Sequence, residues 1–249
     1  MKKKVLILGS TGRVGDSFIE EYLKNYRDKY ELIIGYHRKK PRDDLKKRKY
    51  HLKSCASLRK VFKGVDVVIH LAANSNEKAD FRDTIEPNIL GAYNVFEAAR
   101  DAKVERVIFA SSVHAIRGYP VDYEVKQEDI PKPSGFYGAS KIFGESLCYI
   151  YSNNYNMSCL AIRIGAYTPD DKKELVCVNR QDYHYLITQK DFAQLIYKCV
   201  VASESVKFAI LPGISNNRKK NMDLKFAKKL IGYEPEDDAY EICEEVRKK

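Results

Sequence analysis

The sequence of 249 residues has no uninterrupted apolar run near the 18 residues that a membrane-spanning helix requires. Its basic opening resembles a signal peptide, but only the four apolar residues 5–8 separate that opening from Gly9. Signal peptides carry longer apolar segments, so we interpret residues 5–8 as a first strand. We therefore expect no membrane partner.

Cysteine is present but follows no recognised pattern. The sequence has neither a Cys-x-x-Cys pair nor a nearby histidine cluster. Zinc sites and disulfide frameworks depend on such spacings. We expect no bound metal, no disulfide, and reduced thiols in a cytoplasmic protein. The six cysteines are Cys55, Cys148, Cys159, Cys177, Cys199 and Cys243.

A nucleic-acid recognition motif is also lacking, although 44 basic and 34 acidic side chains give a net charge of +10. The basic residues are spread along the chain, with local clusters at 38–49 and 218–229, outside any RNA-recognition or helix-turn-helix pattern. The charge is equally consistent with an acidic ligand or with a general excess of lysine. We predict no nucleic-acid partner.

What the sequence does have is a regular alternation of short apolar runs and amphipathic stretches of helical length. This alternation predicts an α/β fold, a doubly wound parallel sheet of the Rossmann type with helices on both faces. Pro87 and Gly91 are expected to bend or divide the third helix. The expected strands are 5–8, 32–36, 65–72, 104–110 and 157–164, and the expected helices lie near 12–26, 55–63, 79–102 and 137–155.

The chain has neither an internal repeat nor a low-complexity linker, which predicts a single domain over residues 1–249. Within it we expect a dinucleotide-binding core over 1–165 and a small C-terminal substrate-binding segment over 166–249. The alternation is weaker in this second part. There we expect strands near 184–188 and 206–211, and helices near 190–202 and 222–231.

A glycine-rich loop, Gly9-Ser-Thr-Gly12-Arg-Val-Gly15, follows the first strand and opens a helix. Glycine in this position permits a tight turn, a close approach of the backbone to a pyrophosphate, and close packing of the helix on the strand. The N-terminus of the helix would face the phosphates. The loop therefore predicts a dinucleotide site.

The segment after the second strand lacks an acidic residue, since no Asp or Glu lies between Leu32 and Arg42. Such a residue binds the adenosine ribose of NAD, whereas basic residues accommodate the 2′-phosphate of NADP. We therefore favour NADP, with NAD as the other possibility. Arg38 is the leading phosphate ligand, and Arg13 and Lys39 are additional ones. The alternative is a solvated basic turn.

The pattern Tyr-x-x-x-Lys occurs twice, at Tyr36/Lys40 and at Tyr137/Lys141. Residues four apart on a helix share one face, and an ammonium beside a phenol favours the phenolate and lowers its pKa. Tyr36 and Lys40 lie in a turn before Pro41, so only the second pair is a candidate for proton transfer.

Two further polar positions belong with that pair. Ser111 and Ser112 end an expected strand, where open parallel sheets bind their ligands, and a serine hydroxyl there can hold a substrate oxygen. Asn88 can orient backbone or a water molecule behind the lysine; a purely structural hydrogen-bonding role is the alternative.

In their order along the first 165 residues, these motifs resemble the extended short-chain dehydrogenase/reductases, the NAD-dependent epimerase/dehydratase type. The resemblance implies that Tyr137 accepts the hydroxyl proton as hydride leaves for the nicotinamide. It also implies that Lys141 lowers the pKa of Tyr137 and holds the ribose, and that Ser112 stabilises the substrate oxygen. Ser112 is preferred to Ser111 because it lies 25 residues before Tyr137, as in similar family members. Further matching motifs are Val67-Val-Ile-His-Leu-Ala-Ala73 and Asn88-x-x-Gly-x-x-Asn-Val95.

The same resemblance supplies the expected cofactor-binding residues. It also implies a homodimer or a higher even oligomer, formed through the helices near 79–102 and 137–155. One departure is His51-Leu52, which stands where the family has an adenine-contacting Asp-Leu. The cofactor-binding residues are Gly9, Thr11, Gly12, Arg13, Val14, Gly15, Arg38, Lys39, Leu52, Leu71, Ala72, Ala73, Asn88, Tyr137, Lys141 and Ile164.

A narrower resemblance, to the uronate dehydrogenase group, covers nearly the whole chain. Enzymes of this group oxidise a sugar acid at C1 to its lactone, and related members act on neutral aldoses or sugar phosphates. The implied function is hydride transfer from C1 of a cyclic aldose, sugar acid or sugar phosphate to NAD(P). Matching segments include Ala110-Ser-Ser-Val-His114, Phe136-Tyr-Gly-Ala-Ser-Lys-Ile-Phe-Gly-Glu145 and Leu230-Ile-Gly-Tyr-Glu-Pro-Glu-Asp237.

The expected sugar site departs from that group. Val113 stands in place of an asparagine and Ala166 in place of a serine, whereas Ser75 and His114 match. Arg180 aligns only loosely with the arginine that binds the carboxylate, because the stretch 170–188 is longer here. Loss of polar partners weakens discrimination, so we do not expect strict uronate specificity. The expected substrate-binding residues are Ser75, Ser112, Val113, His114, Ala166 and Arg180.

Two other functions stay open. A nucleotide-sugar epimerase, dehydratase or reductase would use the same Tyr-Lys-Ser group but would retain its cofactor without net formation of NADPH. A non-catalytic dinucleotide-sensing or RNA-binding relative is the second alternative. The intact Tyr137, Lys141 and Ser112 count against it, because such relatives commonly lose the tyrosine.

Overall fold

The architecture is built on parallel strands, as the alternating sequence predicts. The computed structural model describes residues 2–39 and 41–248. The strands are β1 Lys4–Leu8, β2 Glu31–Tyr36, β3 Lys46–Lys49, β4 Val67–His70, β5 Arg106–Ser112, β6 Ser158–Ile164, β7 Ala166–Thr168, β8 Leu186–Thr188 and β9 Phe208–Gly213. The helices are α1 Arg13–Asn25, α2 Cys55–Phe62, α3 Phe81–Thr84, α4 Gly91–Asp101, α5 Phe136–Tyr155, α6 Gln189–Val201, α7 Lys225–Ile231 and α8 Ala239–Arg247.

The central sheet has seven parallel strands in the order β3-β2-β1-β4-β5-β6-β9, and β7 and β8 form a separate parallel pair. Helices cover both faces of the sheet, which confirms the predicted doubly wound fold. The chain first builds outward from β1 to β3, then crosses to β4 on the other side of β1. The loops after β1 and β4 therefore diverge, and such a divergence opens a crevice at the carboxyl edge of the sheet.

Two apolar layers enclose the sheet. Ile7 of β1 belongs to the layer that contains Phe18 of α1 and Phe192 of α6, whose rings pack edge to face at 5.9 Å. Leu8, the next residue, belongs to the opposite layer with Phe96 of α4. Successive side chains of a strand point to opposite faces, so a strand buried on both faces needs the continuous apolar run seen in the sequence.

The helix expected over 79–102 is divided, as Pro87 and Gly91 predict. It consists of α3, a π-helical turn at Ile85–Leu90, and α4. Pro87 has no backbone N–H to donate within the regular helical pattern, which explains the irregular turn around it. The turn positions Asn88, whose side chain is buried.

Three elements were not expected from the sequence: β3, β7 and α8. β3 consists of Lys46-Lys-Arg-Lys49 and pairs with β2 at the edge of the sheet, where charged side chains remain partly exposed. Edge strands tolerate such composition, so apolar patterning does not reveal them. α8 follows α7, which was expected to be the last helix.

The expectation of no disulfide is wrong for one pair. Cys177 and Cys243 are bonded across 66 residues, joining a 3₁₀ segment, Asp170–Val178, to α8. Sequence spacing gives no indication of a pairing that only the fold creates. Cys55, Cys148, Cys159 and Cys199 are free thiols.

The part after residue 165 contributes to two regions. β9 pairs with β6 and completes the main sheet, and α6 packs against α1. β7 instead follows β6 directly and pairs with β8, and the 3₁₀ segments lie between these two strands in the chain. In the part of the chain that the structure describes, no helix is both long and apolar enough to cross a bilayer.

Candidate active site

A cleft of about 680 Å³ lies along the carboxyl edge of the sheet. One end is formed by the glycine loop and the other by the segments after β5 and β6. The structure brings together most of the expected site residues in this one cleft. Those that line it are Gly9, Thr11, Gly12, Arg13, Val14, Gly15, Leu52, Leu71, Ala72, Ala73, Ser75, Ser112, Val113, His114, Tyr137, Lys141, Ile164 and Ala166.

The glycine loop has the geometry that a pyrophosphate needs. Gly9 has a positive φ of 87°, and a Cβ on Gly15 would lie 2.3 Å from the Gly9 carbonyl oxygen. A Cβ on Gly12 would approach only that same oxygen, at 3.4 Å, so Gly12 leaves space on the cleft side. Gly12 is also the N-cap of α1 and supplies no capping side chain, which leaves N–H groups for an anion. The loop therefore fits a dinucleotide.

Tyr137 lies in the first turn of α5, with 9% of its surface exposed at the middle of the cleft. Burial raises the pKa of its phenol, a hydrogen bond with the Ser112 side chain lowers it, and the Glu77 carboxylate raises it. The net direction is upward. Lys141, expected to lower this pKa, is not among the causes of the shift; desolvation of the phenolate is the largest cause and decides the net direction.

Lys141 lies one turn further along α5, as the spacing predicts. Its ammonium donates to the Ala110 carbonyl at 2.9 Å and lies 5.5 Å from the centre of the Tyr137 ring. Burial lowers the pKa of Lys141 to about 8. The side chain is thus fixed at the end of β5, within the cleft and near the phenol.

The two serines at the end of β5 have different partners. Ser111 donates to Glu145 at 2.6 Å, and Glu145 accepts two hydrogen bonds from Arg163 at 2.8 and 2.9 Å. This buried network ties β5, α5 and β6 together. Ser112 instead accepts a hydrogen bond from the backbone of His114 and contacts Tyr137. Of the two hydroxyls, that of Ser112 is the one beside the phenol.

Asn88 lies behind the cleft and does not line it. Its side chain accepts from the Asn74 backbone at 2.8 Å and donates to the Asn74 carbonyl at 3.1 Å and to Ser140 at 3.0 Å. Ser140 in turn donates to the Tyr137 carbonyl. Asn88 therefore connects the loop after β4 to the first turn of α5, which corresponds to the backbone-orienting role considered from the sequence.

Three basic residues that were expected in the site do not line the cleft. Arg38 and Lys39 are exposed beyond the end of β2, and His37 lines the cleft at this point. Arg180, expected at the sugar site, lies in a separate depression with Tyr183, His184 and Arg247. Asn179 caps the short 3₁₀ turn that begins at Arg180, and the turn carries Asp182, not Arg180, into the cleft. Lys40 lies outside the described residues.

The end of the cleft opposite the glycine loop, which we call the sugar end, contains charged residues that the sequence did not indicate. Glu77, Arg117 and Asp182 line the cleft together with Tyr185. Arg117 donates to Asp182 at 2.9 Å and lies 3.9 Å from Glu77. They come from three loops far apart in sequence, so no local motif unites them. The one available signal is that Arg117 follows His114 by three residues in the loop after β5.

His114 lies between Tyr137 and the charged residues Glu77 and Arg117. Its Nε2 lies 3.0 Å from Glu77 and its Nδ1 lies 2.9 Å from the Ser134 hydroxyl, while the ring packs edge to face on Tyr137 at 5.6 Å. Burial and then Arg117 lower the pKa of His114, and Glu77 acts in the opposite direction. The imidazole thus connects the phenol to the charged cluster.

The comparison with protein families agrees with this geometry. The model of the NAD dependent epimerase/dehydratase family matches residues 5–171, which is more than half of the chain. The chain belongs to this family. The matched range includes the glycine loop, both serines of β5 and the tyrosine and lysine of α5, so the family identification made from the sequence is confirmed.

Three known proteins are similar to this one over nearly the whole chain. The L-arabinose 1-dehydrogenase (NAD(P)(+)) of Haloferax volcanii is 29% identical, with 97% of this chain and 99% of the relative covered. The uronate dehydrogenase of Pseudomonas putida is 31% identical, with 95% and 85% covered. The crystal structure of uronate dehydrogenase from Agrobacterium tumefaciens has a TM-score of 0.85 at 25% identity, covering 100% of this chain and 90% of that one. A point mutant of the Agrobacterium enzyme forms a complex with NAD.

Proposed function

We propose that this protein is an NAD(P)-dependent sugar dehydrogenase that oxidises a cyclic aldose at C1 to its lactone. The observation that carries the proposal is the arrangement of Tyr137, Ser112 and Lys141 between a dinucleotide-binding loop and a polar pocket. Relatives with dehydrogenase activity on sugars cover the chain almost end to end, which supports the same conclusion.

The residues of the cleft fit a nicotinamide dinucleotide. The N–H groups at the start of α1 would bind the pyrophosphate, and Lys141 would bind the ribose next to the nicotinamide. Bound NAD(P)⁺ would supply the carbon that accepts the hydride. The protein positions the proton acceptor, Tyr137, through its own contacts, independently of the cofactor.

Proton transfer is the part of the reaction that falls to the protein. Ser112 and Tyr137 would hold the C1 hydroxyl of the sugar between them, because their own oxygens are already in hydrogen-bond contact. As the C1–H bond breaks with its electron pair, the O–H proton passes to the Tyr137 oxygen and a C=O bond forms at C1. The Lys141 ammonium, close to the ring, favours the phenolate that receives the proton.

The direct test of this function is net formation of reduced cofactor. Purified protein is incubated with NADP⁺ or NAD⁺ and a panel of aldoses, uronic acids and sugar phosphates, and the absorbance of reduced nicotinamide is followed. We expect turnover with at least one sugar. Interconversion of UDP-sugars on a retained cofactor, with no net reduction for any free sugar, would instead show the epimerase function.

We propose that NADP is preferred to NAD. At the end of β2 the cleft is lined by His37, whose pKa is lowered by burial and then by His51, Arg38 and Lys49. The surroundings of the adenosine ribose are thus basic, which suits a 2′-phosphate. Arg38 is exposed and adjacent, so it is free to contact that phosphate.

Arg38→Asp tests this preference. We expect the dissociation constant of NADP⁺ to rise at least tenfold more than that of NAD⁺, because a carboxylate repels the 2′-phosphate. Arg27→Asp, an equal charge change after the C-terminal end of α1, away from the glycine loop, is the matched control. An equal effect of Arg38→Asp on both cofactors would contradict the proposal.

We further propose a homodimer, or a higher even oligomer, in the cytoplasm. Large apolar side chains are exposed on α3 to α5 and in the turn between α3 and α4, and a second copy would cover them. A mass by light scattering equal to one chain would contradict the oligomer. The exposed residues are Phe81, Leu90, Tyr93, Phe136, Tyr149 and Ile150.

A further inference from the structure

The sugar end of the cleft contains one connected charge cluster, which we call the Arg117 cluster: Glu77, His114, Arg117 and Asp182. Arg117 donates from Nη2 to Asp182 at 2.9 Å, and its Nη1 lies 3.9 Å from Glu77 and 3.5 Å from His114. Glu77 lies 3.0 Å from His114. All four residues line the cleft that contains Tyr137.

Asp182 is held in this position from its own segment. Its second carboxylate oxygen accepts from the Asn179 amide at 3.2 Å, and its carbonyl accepts from the Tyr185 backbone. The Arg117 guanidinium also lies over the Tyr185 ring at 5.3 Å. The geometry between Arg117 and Asp182 is therefore fixed by several contacts at once.

The negative charges of the Arg117 cluster outnumber its positive charge, so Arg117 is not available as an unpaired cation. Arg117 contributes one positive charge, whereas Glu77 and Asp182 contribute two negative ones. Burial, the main cause, and Arg117 lower the pKa of His114, which disfavours a second cation in the cluster. The other cations lining the cleft, Lys141 and Arg13, lie at the end of β5 and in the glycine loop.

A sugar carboxylate or phosphate would meet this cluster at a disadvantage. To reach Arg117, the anion must displace Asp182 or approach Glu77, and like charges at close range repel strongly in a partly buried site. Sugar hydroxyls have no such conflict, because each can donate to a carboxylate and accept from a guanidinium N–H. Val113 and Ala166, which also line the cleft, offer no side-chain hydrogen bond to an anion.

We propose that the Arg117 cluster makes this enzyme selective for neutral aldoses, with Glu77 and Asp182 as the residues that reject sugar acids and sugar phosphates. This inference rests on the dehydrogenase function proposed above. Arg117 acts in it as a hydroxyl donor whose charge is already neutralised. The substrate class is thus decided by residues from three loops.

The test uses sugars that differ only at C6. For the full chain, kcat/KM is measured with D-glucose, D-glucuronate and D-glucose 6-phosphate, and with D-galactose and D-galacturonate, each with NADP⁺ and NAD⁺. We expect the neutral member of the better series to exceed its charged counterparts more than tenfold. A smaller ratio, or a preference for a charged sugar, overturns the inference while leaving the dehydrogenase function intact. Absence of turnover with every sugar would contradict the dehydrogenase function itself.

Charge-removing variants then test the cause. Glu77→Gln and Asp182→Asn keep the shape of each side chain and remove one negative charge. We expect each to lower the neutral-to-uronate ratio at least fivefold, mainly through a lower KM for the uronate, and the double variant to lower it further. Glu20→Gln, an exposed carboxylate on α1, is the control for overall charge.

The outcome is decisive even if one variant is poorly folded. Glu77 is 52% exposed in its side chain, so Glu77→Gln is the variant with the smaller effect on folding, and thermal melting checks both. If both variants melt as the wild type does and the ratio does not change, the Arg117 cluster is not the selective element. A change in kcat alone, with KM unaffected for both sugars, would also contradict the inference.

Discussion

The two ends of the cleft differ in how their residues are held in place. At the cofactor end, the contacts come from the turn between β1 and α1, from the carboxyl end of β4 and from α5. At the sugar end, Glu77, Arg117 and Asp182 come from loops and a short 3₁₀ turn. Regular elements fix their side chains through local spacing, whereas loops depend on the contacts they make after folding. The first end is therefore predictable from motifs and the second is not.

Tyr137, where the two ends meet, should show the largest effect. Tyr137→Phe removes the proposed proton acceptor and leaves the ring packing, so we expect kcat to fall at least about 10³-fold. The dissociation constant of the cofactor, measured by calorimetry, should stay within about twofold, because the ring and its packing remain. Tyr36→Phe, in the other Tyr-x-x-x-Lys pattern, is the control and should leave kcat unchanged. Substantial turnover by Tyr137→Phe would exclude the proposed mechanism.

The pH dependence of the reaction tests the protonation of Tyr137 and Lys141. Because the pKa of Tyr137 is raised and that of Lys141 lowered to about 8, the productive pair of phenolate and ammonium is a minor form at neutral pH. Below pH 8 the phenolate fraction rises about tenfold per pH unit while Lys141 stays charged; above pH 8 loss of the lysine proton cancels that rise. We expect log kcat/KM for sugar oxidation to rise up to about pH 8 and then level off. A flat profile between pH 6 and 8 would be inconsistent with this assignment.

The rigidity of the cofactor end can be tested with two glycines of the same loop. Gly15→Ala places a Cβ 2.3 Å from the Gly9 carbonyl oxygen, so we expect a loss of about 1–3 kcal/mol in the free energy of unfolding. Gly12→Ala has a nearest contact of 3.4 Å and should leave stability unchanged within about 0.5 kcal/mol, while weakening cofactor binding. Denaturant melts and cofactor titrations separate the two effects. Equal stability of both variants would show that the loop is less tightly packed than its geometry indicates.

The smallest effect is expected at Arg180. The sequence places it at the sugar site, but the structure places it in a different depression. Arg180→Ala should therefore change KM for any sugar, including a uronate, by less than about twofold, since exposed substitutions away from a site have small effects. Steady-state kinetics with D-glucuronate measures this. A large rise in KM would show that Arg180 contributes to sugar binding, and it would weaken the contrast between the two ends of the cleft.

Several features of the fold followed from local chemistry. The apolar runs of β1, β2, β4, β5 and β6 predicted the parallel sheet because each strand is buried on both faces. Pro87 predicted the break in the third helix because proline cannot donate a backbone hydrogen bond. β3 escaped prediction since its four basic residues carry no apolar pattern.

The sequence by itself determined the sheet, the glycine loop and the pairing of Tyr137 with Lys141, because each is marked by a local pattern in the chain: apolar runs, glycine spacing and helical spacing. The tertiary structure alone decided that Arg117 contacts Asp182, that Cys177 bonds to Cys243, and that Arg180 lies elsewhere. It also decided the direction of the Tyr137 pKa, because desolvation depends on everything that surrounds the phenol. The residues proposed for hydride chemistry thus lie in short motifs, whereas those proposed to select the sugar come from loops that meet only after the chain has folded.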